Sequence, residues 1–343
     1  MKKTLLALAV VASATSVNAA EVYKAEGGSV DFYGQLRPTL LFLDSNDHTA
    51  ELNTSSSRMG VNGVYVVNDS LKVLGEVELG VGLGDNYGAE ENSSERTDDT
   101  VYVRRHIIGF DMGEMGTIRF GKEGTFADDV YGADYSYFFG GSALLYGHAW
   151  NNSSQIKYAF ENDAFWLKAG YALGENDKNE EVREVFVGKS FGDLSMHAGV
   201  LSSENKIASK GNNSENLSFE VTAEYALGEH TLGATYYYNE NDDKAASETI
   251  DSHALSLAGM FAVAPKTTLY SGYELVASSS DKAGKKDGDQ SKFYAGVEYK
   301  FSKWARVFAE AGYSFDGDKL EAGEATVATD SKTDFGVGAR FYW

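Results

Sequence analysis

The chain closes on "TDFGVGARFYW", Thr333 to Trp343. Counting back from the end, Trp343, Phe341, Ala339, Val337 and Phe335 are apolar or small. Tyr342, Arg340, Gly338, Gly336 and Asp334 stand between them and are mostly polar or small. That is period-2 alternation, the pattern of a strand with one apolar face. Chain ends normally fray into water, so an end with three consecutive aromatics needs a partner strand and an apolar surface to lie on.

The same alternation recurs upstream. "LSFEVTAEYAL" sets Leu217, Phe219, Val221, Ala223 and Tyr225 against Ser218, Glu220, Thr222 and Glu224. "KFYAGVEYKF" sets Phe293, Ala295, Val297, Tyr299 and Phe301 against Tyr294, Gly296, Glu298 and Lys300. Periodicity alone does not separate a soluble sandwich from a membrane barrel, but the connections do. Short turns such as "VNDS" (67–70), "MGEMG" (112–116), "GD" (192–193) and "LGEH" (227–230) alternate with long polar stretches such as 83–99, 203–215 and 278–290. Short turns at one end and long loops at the other are the habit of transmembrane β-barrels.

Sixteen strands are expected. They start near Val30, Ser57, Leu71, Val101, Thr117, Ser154, Phe165, Arg183, Leu194, Leu217, Thr231, His253, Thr267, Lys292, Trp304 and Asp334. The fold class is therefore all-β, a 16-stranded antiparallel transmembrane barrel. An even number sets the first and last strands side by side, so the closing strand is expected to pair with the one near Val30 and leave no edge in lipid.

Composition agrees. There are 37 Gly, 21 Tyr and 19 Phe against 2 Pro, and no mature segment is apolar for the length a spanning helix needs. Residues 1–19, with "MKK", an apolar stretch and "VNA", are expected to be a secretory signal peptide, leaving 20–343 as the barrel. Losing Lys2 and Lys3 takes the formal charge from −21 to −23, which leaves no electrostatic case for nucleic acid. There is no Cys, so disulfides and thiolate metal sites are excluded. No cofactor is expected, and no loop shows a spaced "DxDxDG" calcium pattern. The six His are scattered outside any "GxSxG" or "HExxH" context, so the chain does not read as an enzyme. One connection is exceptional: residues 123–150, "EGTFADDVYGADYSYFFGGSALLYGHAW", are long and rich in aromatics and are expected to fold into the barrel.

Several stretches together resemble the general diffusion porins of Gram-negative outer membranes. They are "AEVYKAEGGSVDFYGQL" (20–36), "SSRMGVNG" (56–63), "GTIRFGKEGTFADDVYGADYSYFFGG" (116–141) and the closing "GVGARFYW". The resemblance implies a homotrimer of barrels in the outer membrane, surrounded by lipid and lipopolysaccharide, that passes small hydrophilic solutes. It implies a third loop bearing acids that faces wall arginines. By position Arg58 and Arg104 match wall arginines, Glu78 stands beside them, Asp134 matches a loop acid and Asp128 a less central one. Phe138 replaces a loop glutamate, and Gln35 replaces a wall lysine with Arg37 two residues on. Asn151 replaces a third arginine. A terminal aromatic is read by the assembly machinery in the family, a place filled here by Trp343 with Phe341 beside it.

Opposed acids and arginines set up a field across a channel that favours polar solutes and sets ion preference. Glu220, Glu224, Glu274, Glu298, Glu310, Lys157, Lys168, Arg119 and Arg306 are expected to face inward, and the net charge suggests mild cation preference. Alternation that turns Arg104 and His106 inward turns Arg105 outward, to an interface or a subunit contact where Glu90 and Glu91 also reach a neighbour. Two other readings use the same barrel. A sugar-specific channel would use Tyr294, Tyr270, Tyr237 and Trp166 as a stacking track, and a barrel hydrolase would use one of the histidines.

Overall fold

The computed structural model describes residues 20–46, 50–53, 57–81, 101–130, 132–146, 151–176, 178–207, 211 and 213–343. The N-terminal strands are β1 (Ala20–Ala25), β2 (Gly28–Leu36), β3 (Thr39–Phe42), β4 (Ala50–Asn53), β5 (Arg58–Asn68), β6 (Leu71–Val81) and β7 (Val101–Asp111). Next come β8 (Thr117–Gly124), a one-turn helix α1 (Phe126–Asp129), β9 (Asn151–Glu161), β10 (Trp166–Ala172), β11 (Glu181–Phe191) and β12 (Leu194–Asn205). Then follow β13 (Ser214–Leu227), β14 (His230–Asp243), β15 (Glu248–Ala264), β16 (Thr267–Ser280), β17 (Gly288–Lys300) and β18 (Ala305–Ser314). The chain ends with β19 (Gly317–Lys319), β20 (Val327–Thr329) and β21 (Lys332–Tyr342).

All of them join one antiparallel sheet. β2 with β3 forms one crossing, interrupted at Arg37 and Pro38, and β5 with β4 forms the next. β19 and β20 are a small hairpin in the last loop. What remains is a closed barrel of sixteen crossing strands. Two-residue connections need a backbone that reverses sharply, and Gly192 (φ 67°) and Gly228 (φ 66°) supply it without a Cβ in the way.

Closure falls where the alternation of the final strand placed it. β21 pairs with β18 on one side (Phe341 opposite Ala305) and with β2 and β3 on the other (Phe341 opposite Leu36, Phe335 opposite Phe42). Trp343 exchanges both backbone hydrogen bonds with Gly34, at 3.0 and 3.1 Å. β1 then continues the same column, with Ala20 opposite Phe32, an extension the sequence pattern did not reveal. The closing strand is thus paired on both sides, as hydrocarbon requires.

The burial pattern is the reverse of a water-soluble domain. Val185, Val187, Leu217, Phe219, Leu257, Phe335 and Phe341 are exposed, whereas Glu184, Ser218, Glu220, Thr222, Glu274 and Glu310 are buried. An outward apolar face and an inward polar one are what strands in lipid present, because a basic group at mid-membrane costs about 2–4 kcal/mol. Trp343 lies over Gly34 on the outward side, its ring 6.2 Å from those of Phe32 and Phe341.

Candidate functional site: the charged lining and the segment bound to it

Two regions of the polar face carry the chemistry. The first runs from β2 to β9 as a ladder of alternating charge. Tyr33 on β2 donates its hydroxyl to Glu76 (2.9 Å) and Glu78 (3.1 Å) of β6. Glu78 takes Arg104 at 2.7 Å, with Arg58 at 3.8 Å and Arg105 at 3.9 Å. Glu76 takes Arg119 at 3.1 Å and Arg105 at 3.6 Å. Arg119 also meets Glu123 at 3.1 Å, and Glu123 lies 3.6 Å from Lys157. Lys157, itself buried, reaches Asp129 at 2.8 Å and the carbonyl of Gly124 at 2.7 Å. Its ammonium stands 4.0 Å over the ring of Phe126.

Arg105 is turned inward, contrary to the expectation from strict alternation. The register between β6 and β7 slips at this point: Glu78 opposes Arg105, whereas Leu79 opposes Val103. Arg104 is the extra residue of a β-bulge, and a bulge lets two consecutive side chains share a face. Beyond it the parity is reversed, so His106 is exposed and Ile107 is buried. Arg105 is therefore not a lipid-facing charge.

The second region is the segment 126–146, bound to polar-face side chains of β11 and β13 to β18. Glu184 accepts the amides of Phe126 (2.6 Å) and Ala127 (2.9 Å). Glu310 accepts those of Tyr137 (2.6 Å), Phe138 (3.3 Å) and Phe139 (2.7 Å). Glu274 accepts those of Gly141 (2.8 Å) and Ser142 (2.9 Å), together with the Ser142 hydroxyl. The hydroxyls of Tyr135, Tyr137 and Tyr146 go to Glu224, Glu298 and Glu220. The Ala133 amide donates to Thr235 and its carbonyl accepts from Ser256, each at 2.6 Å. Hydrogen bonds to a charged acceptor each contribute about 1.5–3 kcal/mol, so these contacts together fix the segment firmly. The wall makes room for it: a Cβ at Gly312 would collide with Phe139, and one at Gly336 with Phe138.

Within the segment the two adjacent acids of α1 differ. Burial, and then the charge of Asp129, push the Asp128 carboxyl above its usual range. Burial would raise Asp129 as well, but Lys157 and Arg105 outweigh it and hold that carboxyl below its usual range.

A sequence model of the family described as "Gram-negative porin" matches residues 5–320. The chain belongs to the Gram-negative porins. "Porin-like protein H" of Photobacterium profundum is 27% identical over 94% of this chain and 97% of that protein. Outer-membrane expressed OmpT of Vibrio cholerae is 41% identical, with a TM-score of 0.80 over 94% of this porin and all of that chain. In-vitro folded OmpT in a trimer form is 42% identical, with a TM-score of 0.79 over 92% of this chain and all of that one. The protein is thus an outer-membrane porin of the Gram-negative type, a channel rather than an enzyme.

The site residues named from the sequence divide between the two regions. Arg58, Glu78 and Arg104 meet in the ladder, and Arg104, Arg105 and Lys157 act electrostatically on Asp128 across from it. Arg37 hydrogen-bonds Gln35 at 2.7 Å, the shared side expected of the pair. Asp134 instead accepts the Ser136 amide at 2.9 Å and sits against Gly140, so it organises the segment's own turn. Phe138 lies against Phe308 on the wall and against its neighbour Phe139, and so anchors the segment. The tyrosine track is likewise occupied. Tyr294 accepts the Tyr135 amide, Tyr270 donates to Glu310, and Tyr237 is buried beside Tyr146. Asp129, Glu76, Glu123, Tyr33 and Glu184 were not singled out from the sequence. The side chain of Asn151, Glu90, Glu91 and positions 147–150 lie outside the described residues.

Proposed function

We propose that this porin lets small hydrophilic solutes and ions diffuse passively through a lumen narrowed by the segment 126–146, with a modest preference for cations. The observation that carries the reading is the set of carboxylates from β11 to β18 that bind this segment's amides and hydroxyls opposite a charged ladder. Arg37, Arg58, Arg104 and Glu78 form one side of the passage and Asp128 with Asp129 the other. The formal charge of −23 that remains without Lys2 and Lys3 favours cations at the mouths. Residues 1–19 act as an export signal and are removed. The working unit is a homotrimer, as the trimer form of the related OmpT suggests. Phe341 and Trp343 seal the barrel, face lipid and lipopolysaccharide surroundings with the rest of the outer surface, and present the closing strand to the assembly machinery.

Planar bilayers bathed in a KCl gradient test all three parts. The expected record is stepwise conductance closing in three equal levels, with a reversal potential of the cation-preferring sign. Flat current sinks the channel, single-level steps sink the trimer, and an anion-preferring reversal sinks the ion preference.

A further inference from the structure

The outward face beside the seam is not smooth. A hollow of about 530 Å³ opens on it, lined almost wholly by apolar groups of β3, β4, β17, β18 and β21. Glu298 and Glu310 are buried on the polar face, whereas the alternate residues Val297, Tyr299 and Val307 are exposed, so the hollow faces lipid. One row of directly opposed residues crosses it: Val297, Ala309, Val337, Leu40 and Leu52. Ala309 is the low point of that row, and Leu40 and Leu52 raise its far side. In the next row Tyr299 stands as a wall opposite Val307.

The trough runs along β18 toward the short turn 301–304. Ala305 extends its floor, opposite Phe341 of the closing strand. Short turns mark the periplasmic end of an outer-membrane barrel. Two exposed lysines converge on this turn. Lys303 stands 5.8 Å from the Trp304 ring, and Lys266, from the neighbouring turn, donates to the Phe301 carbonyl at 2.9 Å. Phe301, Trp304 and Phe341 are exposed around them, as rings at a membrane–water boundary are.

From turn to trough the order is cation, aromatic ring, apolar channel. A phospholipid read inward from its phosphate presents the matching order. Inside a bilayer no hydrophobic drive separates lipid from protein, so packing of complementary shape decides what stays. An unfilled hollow leaves its lining without dispersion partners on one side. A narrow trough accepts an extended chain, whereas the face of another barrel would bridge over Ala309 and leave it empty.

We infer that this trough is a phospholipid site, in which an acyl chain lies along β18 over Ala309 and the phosphate of a periplasmic-leaflet lipid is met by Lys266 and Lys303. The site deepens the reading of an outer-membrane barrel surrounded by lipid, and rests on it, by fixing one lipid at one place on the wall. It stands apart from the lumen.

The test is native mass spectrometry of the full-length protein, assembled and extracted in detergent, with phosphatidylglycerol added in steps. The unmodified protein should retain it saturably, one per chain. Ala309→Phe fills the trough and should raise the half-saturating concentration about tenfold, which corresponds to about 1.4 kcal/mol. Lys303→Gln and Lys266→Gln should each raise it about fivefold, the effect of about 1 kcal/mol per basic residue near an anionic surface. Ala223→Phe, the same change on the lipid-facing side of β13, should leave it unchanged. KCl conductance in planar bilayers should be the same in every variant, and it judges the channel independently of the site. Should Ala309→Phe fail to assemble, the two lysine variants, which lie in turns, carry the test. Absence of saturable retention, or equal retention in Ala309→Phe and Ala223→Phe, would overturn the site. So would retention of lipid A in place of phosphatidylglycerol. Loss of the oligomer in Ala309→Phe with lipid retention unchanged would also overturn it, and would give the trough to a second copy of the chain.

Discussion

The two sides of this barrel use charge in opposite ways. From β2 to β9, side chains neutralise side chains: Glu76, Glu78 and Glu123 are interleaved with Arg58, Arg104, Arg105, Arg119 and Lys157. From β11 to β18, carboxylates bind amides and hydroxyls of one segment instead. The first arrangement shapes a field and the second fixes a position. Acid content alone therefore says little about ion preference, because Glu184, Glu274 and Glu310 are committed to anchoring.

Mutations can force the two sides apart. The largest effect is expected from Glu310→Ala, which deprives three consecutive amides and the Tyr270 hydroxyl of their acceptor. At about 1.5–3 kcal/mol per bond the segment should come loose. Single-channel conductance should rise and become noisy, and an unchanged, quiet conductance would show that the anchor lies elsewhere. Asp129→Asn comes next. It removes the partner of Lys157 and Arg105 on the field-forming side, so the reversal potential should move toward anions with little change in conductance. Arg105→Gln should move it the other way and by less, because Arg104 and Arg119 remain on Glu78 and Glu76. A shift toward anions would contradict the inward orientation of Arg105. Phe138→Ala should matter least for selectivity. It removes packing against Phe308, so heat resistance of the assembled protein should fall while the reversal potential stays put.

How legible all this was depends on what fixed each feature. Strand number, the seam and the inward turn of Glu220, Glu274 and Glu310 follow from alternation, because lipid on one side and a polar interior on the other leave a strand only one orientation. Arg105 defeated that reasoning because a single bulged residue reverses the parity of all that follows on β7, and the one Gly of "VYVRRHIIGF", Gly109, lies five residues past the bulge and does not mark the spot. The partners of the inward carboxylates were not legible either. The Glu310 side chain and the Tyr137 amide are 173 residues apart in sequence, and nothing local announces their meeting. Asp129 was passed over for its neighbour Asp128. Adjacent positions on a helical turn point about 100° apart, and only the fold shows which one faces Lys157.

Among the described residues, the wall carboxylates that grip 126–146 all arrive later along the chain, from Glu184, 57 residues after Ala127, to Glu310. Contacts at such separation form late, since the intervening chain must be ordered first. As the polypeptide lengthens, the segment meets its first wall carboxylate with β11 and its last with β18. Glu310 stands on β18, the neighbour of the closing strand β21, so the anchoring set is completed only as the sheet nears closure. A chain interrupted before Glu310 would lose the last anchor of the segment and the closing strand together.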